Sequence, residues 1–309
     1  MGSPTSFDAV LGGSEQRYLD HGYKGVRHFL SVRGGPPTVA DVGGPEMSAR
    51  VEYPQSWSTK PDGAMAPHLS TLDAMILGAG VAERRLRALR VDVSRCHLSR
   101  IGIRAAGSPI EDLSAVPVGY IDNFDHGDYE CDVHLGGMRV STSSRLEGAA
   151  KPPDHCAGPS DANIEEPEPI QFARRDIQSS ILKLDLGERR LLSTHIALSL
   201  TTDARTSILS VRGHWATYVD FLRIAAQAAQ VLIYSVDGVT RSASRNLWMR
   251  TATFSHDPRL PHVSGTSELA TSITKCRTIN RGCEAWRVFD ASFLLDRSFL
   301  CQGSLAYRP

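Results

Sequence analysis

Apolar residues recur along this chain at two spacings, and the spacing predicts the element. In residues 69–89, LSTLDAMILGAGVAERRLRAL, Leu72, Met75, Ile76, Ala79 and Ala82 share a face while Arg84, Arg85 and Arg87 crowd the solvated end, which predicts an amphipathic helix. Residues 216–236, ATYVDFLRIAAQAAQVLIYSV, are apolar almost all round apart from Arg223, Gln227 and Gln230. A helix of that composition is predicted to be buried. Elsewhere the alternation has period two. VPVGYID (116–122) and YECDVHLGGMRVSTSS (129–144) predict a strand pair about the turn-prone NFDHGD, and FARRDIQSSILKLDLG and RRLLSTHIALSLTTD predict two more strands past mid-chain. VDVSRCHLSRIGIRAAG follows the first helix; NLWMRTATFSHD, ELATSITKCRTI, CEAWRVFDASFLL and FLCQGSLAYR follow the second.

The two helices head a repeat. HLSTLDAMILGAGVAE (68–83) aligns with HWATYVDFLRIAAQAAQ (214–230) after one inserted residue, so that Asp73 matches Asp220, Gly80 matches Gln227 and Glu83 matches Gln230, an offset of 220 − 73 = 147 residues. In each half a strand-bearing stretch, a long apolar helix and a run of antiparallel strands follow in order. That order predicts an α+β double hot-dog, two antiparallel sheets each wrapped around a long central helix and associated as a pseudo-dimer that covers exposed sheet edges. The Pro- and acid-rich stretch GAAKPPDHCAGPSDANIEEPEP (148–169) has no apolar period, which divides the chain into lobes 1–147 and 170–309 with a linker between them.

Lys plus Arg number 34 against 34 Asp plus Glu, so the overall charge offers no steering toward nucleic acid or anionic lipid. No run approaches the ~18 apolar residues of a membrane span, and the opening MGSPTSFDAVLGG lacks a basic segment followed by an apolar one. The expectation is a cytoplasmic protein with neither a nucleic-acid nor a membrane partner; homodimerisation is left open. Cys96, Cys131, Cys156, Cys276, Cys283 and Cys301 are scattered without CxxC pairs, which suits reduced thiols. Cys131 and His134 read as strand residues, and no metal site is expected.

YVDFLRIAAQAAQVLIYSVDGVTRSASRNLWMR (218–250), with APHLSTLDAMILGAGVAE (66–83) and the opening FDAVLGGSEQRYLDHGYKGVRHFL (7–30), resembles the avirulence D protein family. The total length is also similar, so the resemblance extends over essentially the whole chain. It implies a role in making syringolides, acyl glycosides built from a 3-ketoacyl chain and a ketopentose. A more distant similarity, through paired hot-dog units, is to the synthase that joins a 3-ketoacyl thioester to a hydroxyketone phosphate at the start of butyrolactone signal synthesis. Both similarities imply an acyltransferase or condensing enzyme; the alternatives are a hot-dog dehydratase or thioesterase acting on acyl thioesters and a non-catalytic binder of an acyl or lactone signal. Its partners would be an acyl carrier protein or coenzyme A thioester and a sugar or small hydroxyketone, with no separate cofactor.

The residue roles must come from the residues themselves. Acyl transfer needs a polarised carbonyl, a base and room for the chain, and a helix N-terminus supplies the first through unpaired N–H groups. Each predicted helix is preceded by a histidine, His68 or His214, and carries an acid one turn in, Asp73 or Asp220. These four are the candidate catalytic set. The aspartates equally fit a capping pattern, Ser70-x-x-Asp73 and Thr217-x-x-Asp220, in which they only satisfy backbone donors. Gln227 and Gln230 lie close to two and three turns after Asp220, on one face with Arg223 and Tyr234 nearby, and suit hydroxyl recognition or a buried network joining the lobes. Tyr218, Arg223 and Arg241 complete the candidate substrate-binding set, with Arg241 suited to a phosphate or to a solvated strand edge. The second half is expected to carry more of the site, since Gly80 and Glu83 stand where it has the two glutamines.

Overall fold

The computed structural model describes residues 6–32, 47–55, 57–60, 63–64, 66–146, 168–172, 174–188, 190–202, 207–210, 216–242, 244, 247–257, 266–282 and 284–309. A short helix α1 (Phe7–Leu11) precedes strands β1 (Arg27–Val32) and β2 (Met47–Glu52), the small hairpin β3 (Thr59–Lys60) and β4 (Gly63–Ala64), and helix α2 (Thr71–Ala88). Strands β5 (Cys96–Arg104), β6 (Val116–Asp125), β7 (Asp128–Leu135) and β8 (Met138–Leu146) follow, then the short β9 (Glu168–Pro169). The second half holds β10 (Arg174–Asp185), β11 (Leu191–Thr202), helix α3 (Tyr218–Asp237), β12 (Trp248–His256), β13 (Thr266–Arg281), β14 (Glu284–Leu295) and β15 (Phe299–Tyr307).

All strands except β3 and β4 belong to one sheet, ordered β10-β11-β13-β14-β15-β12-β5-β8-β7-β6-β2-β1-β9, and every pairing between neighbouring strands is antiparallel. Reading inward from either side gives the same order of equivalent strands: β1-β2-β6-β7-β8-β5 and β10-β11-β13-β14-β15-β12. The repeat in the sequence is therefore a repeat of topology. Its two copies meet where β5 pairs with β12, from Arg104 opposite Thr251 to Arg100 opposite Ser255. The expected two sheets are thus joined into one, because the equivalent edge strands of the halves complete each other's hydrogen bonds.

Helix α2 packs on β1, β5, β7 and β8, and α3 on β10, β11, β13 and β14; the helices also touch each other. Gly78 allows the first of these approaches, since a Cβ there would stand 2.6 Å from Cγ1 of Val140 on β8. Among the described residues α3 is the one helix long and apolar enough to cross a membrane, yet it is a core element here, with the Phe221 ring tilted against that of Phe299 at 4.3 Å and edge-on to that of Phe254 at 5.7 Å. Gly238, at φ 65°, ends it in the left-handed conformation.

The lobe boundaries are crossed at both ends. Helix α1 packs on α3 and β10 of the second half, and β9, the end of the expected linker, pairs with β1 of the first; residues 148–167 lie outside the described residues. The predicted strand 129–144 is also two strands, because Gly136 and Gly137 at φ 55° and 107° form a tight turn that sets Leu135 opposite Met138.

Candidate active site

Both helices begin in capping boxes. Ser70 and Thr217 accept from the backbone N–H of Asp73 and Asp220, and the two carboxylates accept in return from the Ser70 and Thr217 N–H at 2.8 and 2.9 Å. Beyond the caps the acids differ. Asp73 Oδ1 lies 2.7 Å from His28 Nε2 and accepts from the Tyr18 hydroxyl at 2.9 Å, while Oδ2 accepts from Tyr53 and from Ser70 Oγ. Burial alone would raise the Asp73 carboxyl; hydrogen bonds from His28, Ser70 and Tyr53 outweigh it and hold the carboxyl below its usual range. Burial pushes both phenols well up, so they stay protonated donors. Asp220 instead meets cations, Arg175 Nη1 at 3.0 Å and Arg223 Nη1 at 3.3 Å.

Arg223 also donates to Leu19 O at 2.8 Å and Asp20 O at 3.2 Å and lies over the Tyr23 ring, 3.8 Å from its centroid. It clamps the segment after α1 onto α3. That segment, with the start of α2 and the flank of α3, encloses a cavity of about 780 Å3. From α2 come Thr71 and Leu72, and from the loop before it His68; from α3 come Ala226, Gln227, Gln230 and Tyr234. Leu222, Met249, Val288, Leu305 and Ala306 make an apolar wall, and Trp57, Trp248 and Trp286 also border the space.

Three polar features belong to residues that line this cavity. The backbone N–H groups of Thr71 and Leu72, in the first turn of α2, have no acceptor among the described residues, whereas the flanking N–H groups of Leu69, Ser70, Asp73 and Ala74 are all satisfied. His68 is half-buried, its ring 5.0 Å from that of Trp248, with Nδ1 3.3 Å from Ala66 O and Nε2 unengaged among the described residues. Gln227 is 1% exposed; its Nε2 donates to Leu19 O at 3.4 Å, and its Oε1 is buried without a partner among the described residues. An unsatisfied buried amide oxygen costs about 1–3 kcal/mol.

The expected pairing of His68 with Asp73 does not form. Asp73 is filled by His28, a strand residue 45 positions away, and neither Asp73 nor Asp220 borders the cavity. Tyr218 is also interior, donating to Leu98 O at 2.8 Å, and Arg223 is a clamp, so both leave the substrate-contacting set. His214 lies outside the described residues. Gln227, Gln230 and Arg241 do line the cavity. The site is thus a composite of the first half's helix start and the second half's helix flank rather than mainly the second half's. Among the described lining residues there is no carboxylate. Sequence reading missed Tyr18, His28, Tyr53, Trp57 and Trp286; no local pattern marks them, since their partners are distant in the chain. Cysteine is no better placed: burial pushes the Cys96 thiol up to about 11 and Cys131 up to about 12.

Fold and cavity together define a duplicated protein, helix on antiparallel sheet in each half, with a cavity lined by residues of both halves. The family described as Pseudomonas avirulence D protein (AvrD) matches residues 3–150 and 172–298, and the chain belongs to that family. No curated protein matches. Among solved structures, one from Thermobifida fusca YX assigned as a thioesterase II shares 13% identity over 100% of this chain and 99% of its own, with a TM-score of 0.44. One from Lactobacillus plantarum, assigned as an oleoyl thioesterase, shares 8% identity over 78% and 89%, at 0.43. The dehydratase domain of PpsC from Mycobacterium tuberculosis, solved in complex with C12:1-CoA, shares 8% over 74% and 83%, at 0.35. At these scores the overlaps are loose, and the functional reading rests on this chain's own residues.

Proposed function

We propose that the chain is a double hot-dog acyltransferase or condensing enzyme that joins a 3-ketoacyl group, delivered as a carrier-protein or coenzyme A thioester, to a hydroxyl of a ketose or small hydroxyketone. The observation that carries this reading is that the residues of the unpaired first-turn amides, Thr71 and Leu72, line one cavity together with His68, Gln227 and Gln230. The two amides, at the positive end of an 18-residue helix, suit the oxygen of a thioester carbonyl as it gains charge. Oε1 of Gln227 suits the donor of a hydroxyl, and the apolar wall suits the acyl chain.

In this scheme His68 Nε2 takes the proton of the acceptor hydroxyl as its oxygen bonds to the carbonyl carbon. The carbon–sulfur bond then breaks, and the leaving thiolate takes the proton back from His68. Carbon–carbon closure would come next within the same space: the carbon between the two carbonyls of the 3-ketoacyl ester loses a proton and bonds to the acceptor's ketone carbon, whose oxygen takes a proton, so that the closed product is an isomer of the ester. The absence of a carboxylate among the described lining residues weighs against a His–Asp dehydratase or thioesterase.

The deciding experiment incubates the protein with a 3-ketoacyl carrier-protein thioester and a panel of ketoses and weighs the products. An acyl ester or its cyclised derivative supports the proposal; free 3-keto acid alone points to hydrolysis, and tight binding without turnover to a sensor of acyl or lactone signals. His68→Gln should lower product formation ~100-fold or more while the half-buried ring's loss leaves the melting temperature within a few degrees.

A further inference from the structure

Four arginines line the cavity, Arg17, Arg241, Arg250 and Arg277, facing no acidic residue among the described lining. Two are neutralised from outside it: Arg17 by Asp8 and Asp20 at 2.6 and 2.5 Å, and Arg277 by Asp290 at 2.8 Å. Arg241 is not. It is half-buried, its Nη2 donates to Gln16 O at 3.1 Å, and no carboxylate among the described residues reaches it. Burial lowers its pKa, and the neighbouring Arg17 guanidinium acts in the same direction against an opposing contribution from Tyr234. A cation in that position gives up hydration and faces a like charge, with no carboxylate among the described residues to offset those costs. Arg250, exposed, is also without a carboxylate and donates from Nη1 to Ala106 O at 3.1 Å.

The guanidinium fork matches the oxygens of a phosphate ester, and an anion brought by the ligand would complete the charge balance that the protein leaves open. We infer that Arg241 is the inner cation of a phosphate-ester subsite of this cavity, with Arg250 as its outer cation, and that the phosphate belongs to a substrate. The inference rests on reading the cavity as the acyl-transfer site and narrows what that site accepts. The phosphate ester has two sources, the pantetheine arm of the acyl carrier or a phosphorylated hydroxyl substrate.

Four probes separate them, titrated into the full chain and followed by the fluorescence of Trp57, Trp248 and Trp286, which border the cavity. They are dodecanoyl-coenzyme A against S-dodecanoyl-pantetheine, and xylulose 5-phosphate against xylulose. In one pair the phosphate-bearing member should bind at least tenfold more tightly, and that pair identifies the source. Arg241→Gln should abolish the preference while the phosphate-free member binds within threefold of its original affinity, and Arg241→Lys should keep part of it. Inorganic phosphate should compete with the phosphate-bearing probe alone, a measurement on the unaltered protein that decides the matter if the variants do not fold. Equal affinities within both pairs, a preference that survives Arg241→Gln, or no competition by phosphate would overturn the subsite. Because these are binding measurements without turnover, they can succeed where the product assay fails, and the reverse.

Discussion

Asp73 Oδ1 lies 2.7 Å from His28 Nε2 with both side chains buried, and the pair ties the start of α2 to strand β1. A carboxyl held below its unfolded value contributes stability that is present above about pH 4 and lost as the pH falls through the folded value. Asp73→Asn should therefore cost about 3 kcal/mol at pH 7, since it removes the buried charge and replaces one of the two accepting oxygens by an NH2 that faces the donors which that oxygen served. Urea titrations at a series of pH values would read this. The difference between wild type and variant should shrink below pH 4; a constant difference down to pH 3 would mean that the ionised carboxylate contributes nothing.

Thr71 occupies the first position of α2, where proline is well accommodated, and Ser70 before it is already extended at φ −83° and ψ 166°. Thr71→Pro removes one unpaired N–H and little else. It should leave the melting temperature nearly unchanged and lower kcat for acyl transfer by ~100-fold or more, the usual effect of losing one oxyanion donor. Undiminished kcat would move the carbonyl away from this helix start.

Gln227→Leu should raise KM for the hydroxyl substrate about tenfold, as for one lost hydrogen bond, while KM for the thioester changes little. Stability should stay within about 1 kcal/mol, because the variant removes an unpartnered oxygen and Leu19 O keeps its bond from Arg223 Nε. Steady-state kinetics with each substrate varied in turn would show whether the effect is confined to the acceptor.

Gly78→Ala sets two effects against each other. Alanine gains about 1 kcal/mol of helix propensity, but its Cβ would stand 2.6 Å from Val140 Cγ1 in a filled core, a strain of about 1–3 kcal/mol. The expected outcome is net destabilisation, measured as a lower urea midpoint and relieved by Val140→Ala in the same chain.

The periodicities placed both long helices to within two residues and most strands, because the apolar face of an element is written in consecutive residues. The capping pairs Ser70 with Asp73 and Thr217 with Asp220 were equally legible, spanning three residues each. The internal repeat carried the topology further, since two copies of one pattern of helix and strands can close only in equivalent ways. It did not reveal that β5 and β12 fuse the halves into one sheet, which depends on two edges meeting in space.

The candidate site divides along the same line. That His68, Gln227, Gln230 and Arg241 are chemistry-bearing residues near helices is legible from residue type and spacing alone. Which of them share a cavity is not. His28 reaches Asp73 across 45 residues, and Arg223 holds Leu19 across 204. Those contacts turned both aspartates into anchors, made the segment after α1 a cavity wall and left the start of α2 with two unpaired amides. Local hydrogen bonds are encoded by neighbours, but a cavity is whatever space the distant packing leaves, and only the folded chain determines where that space opens.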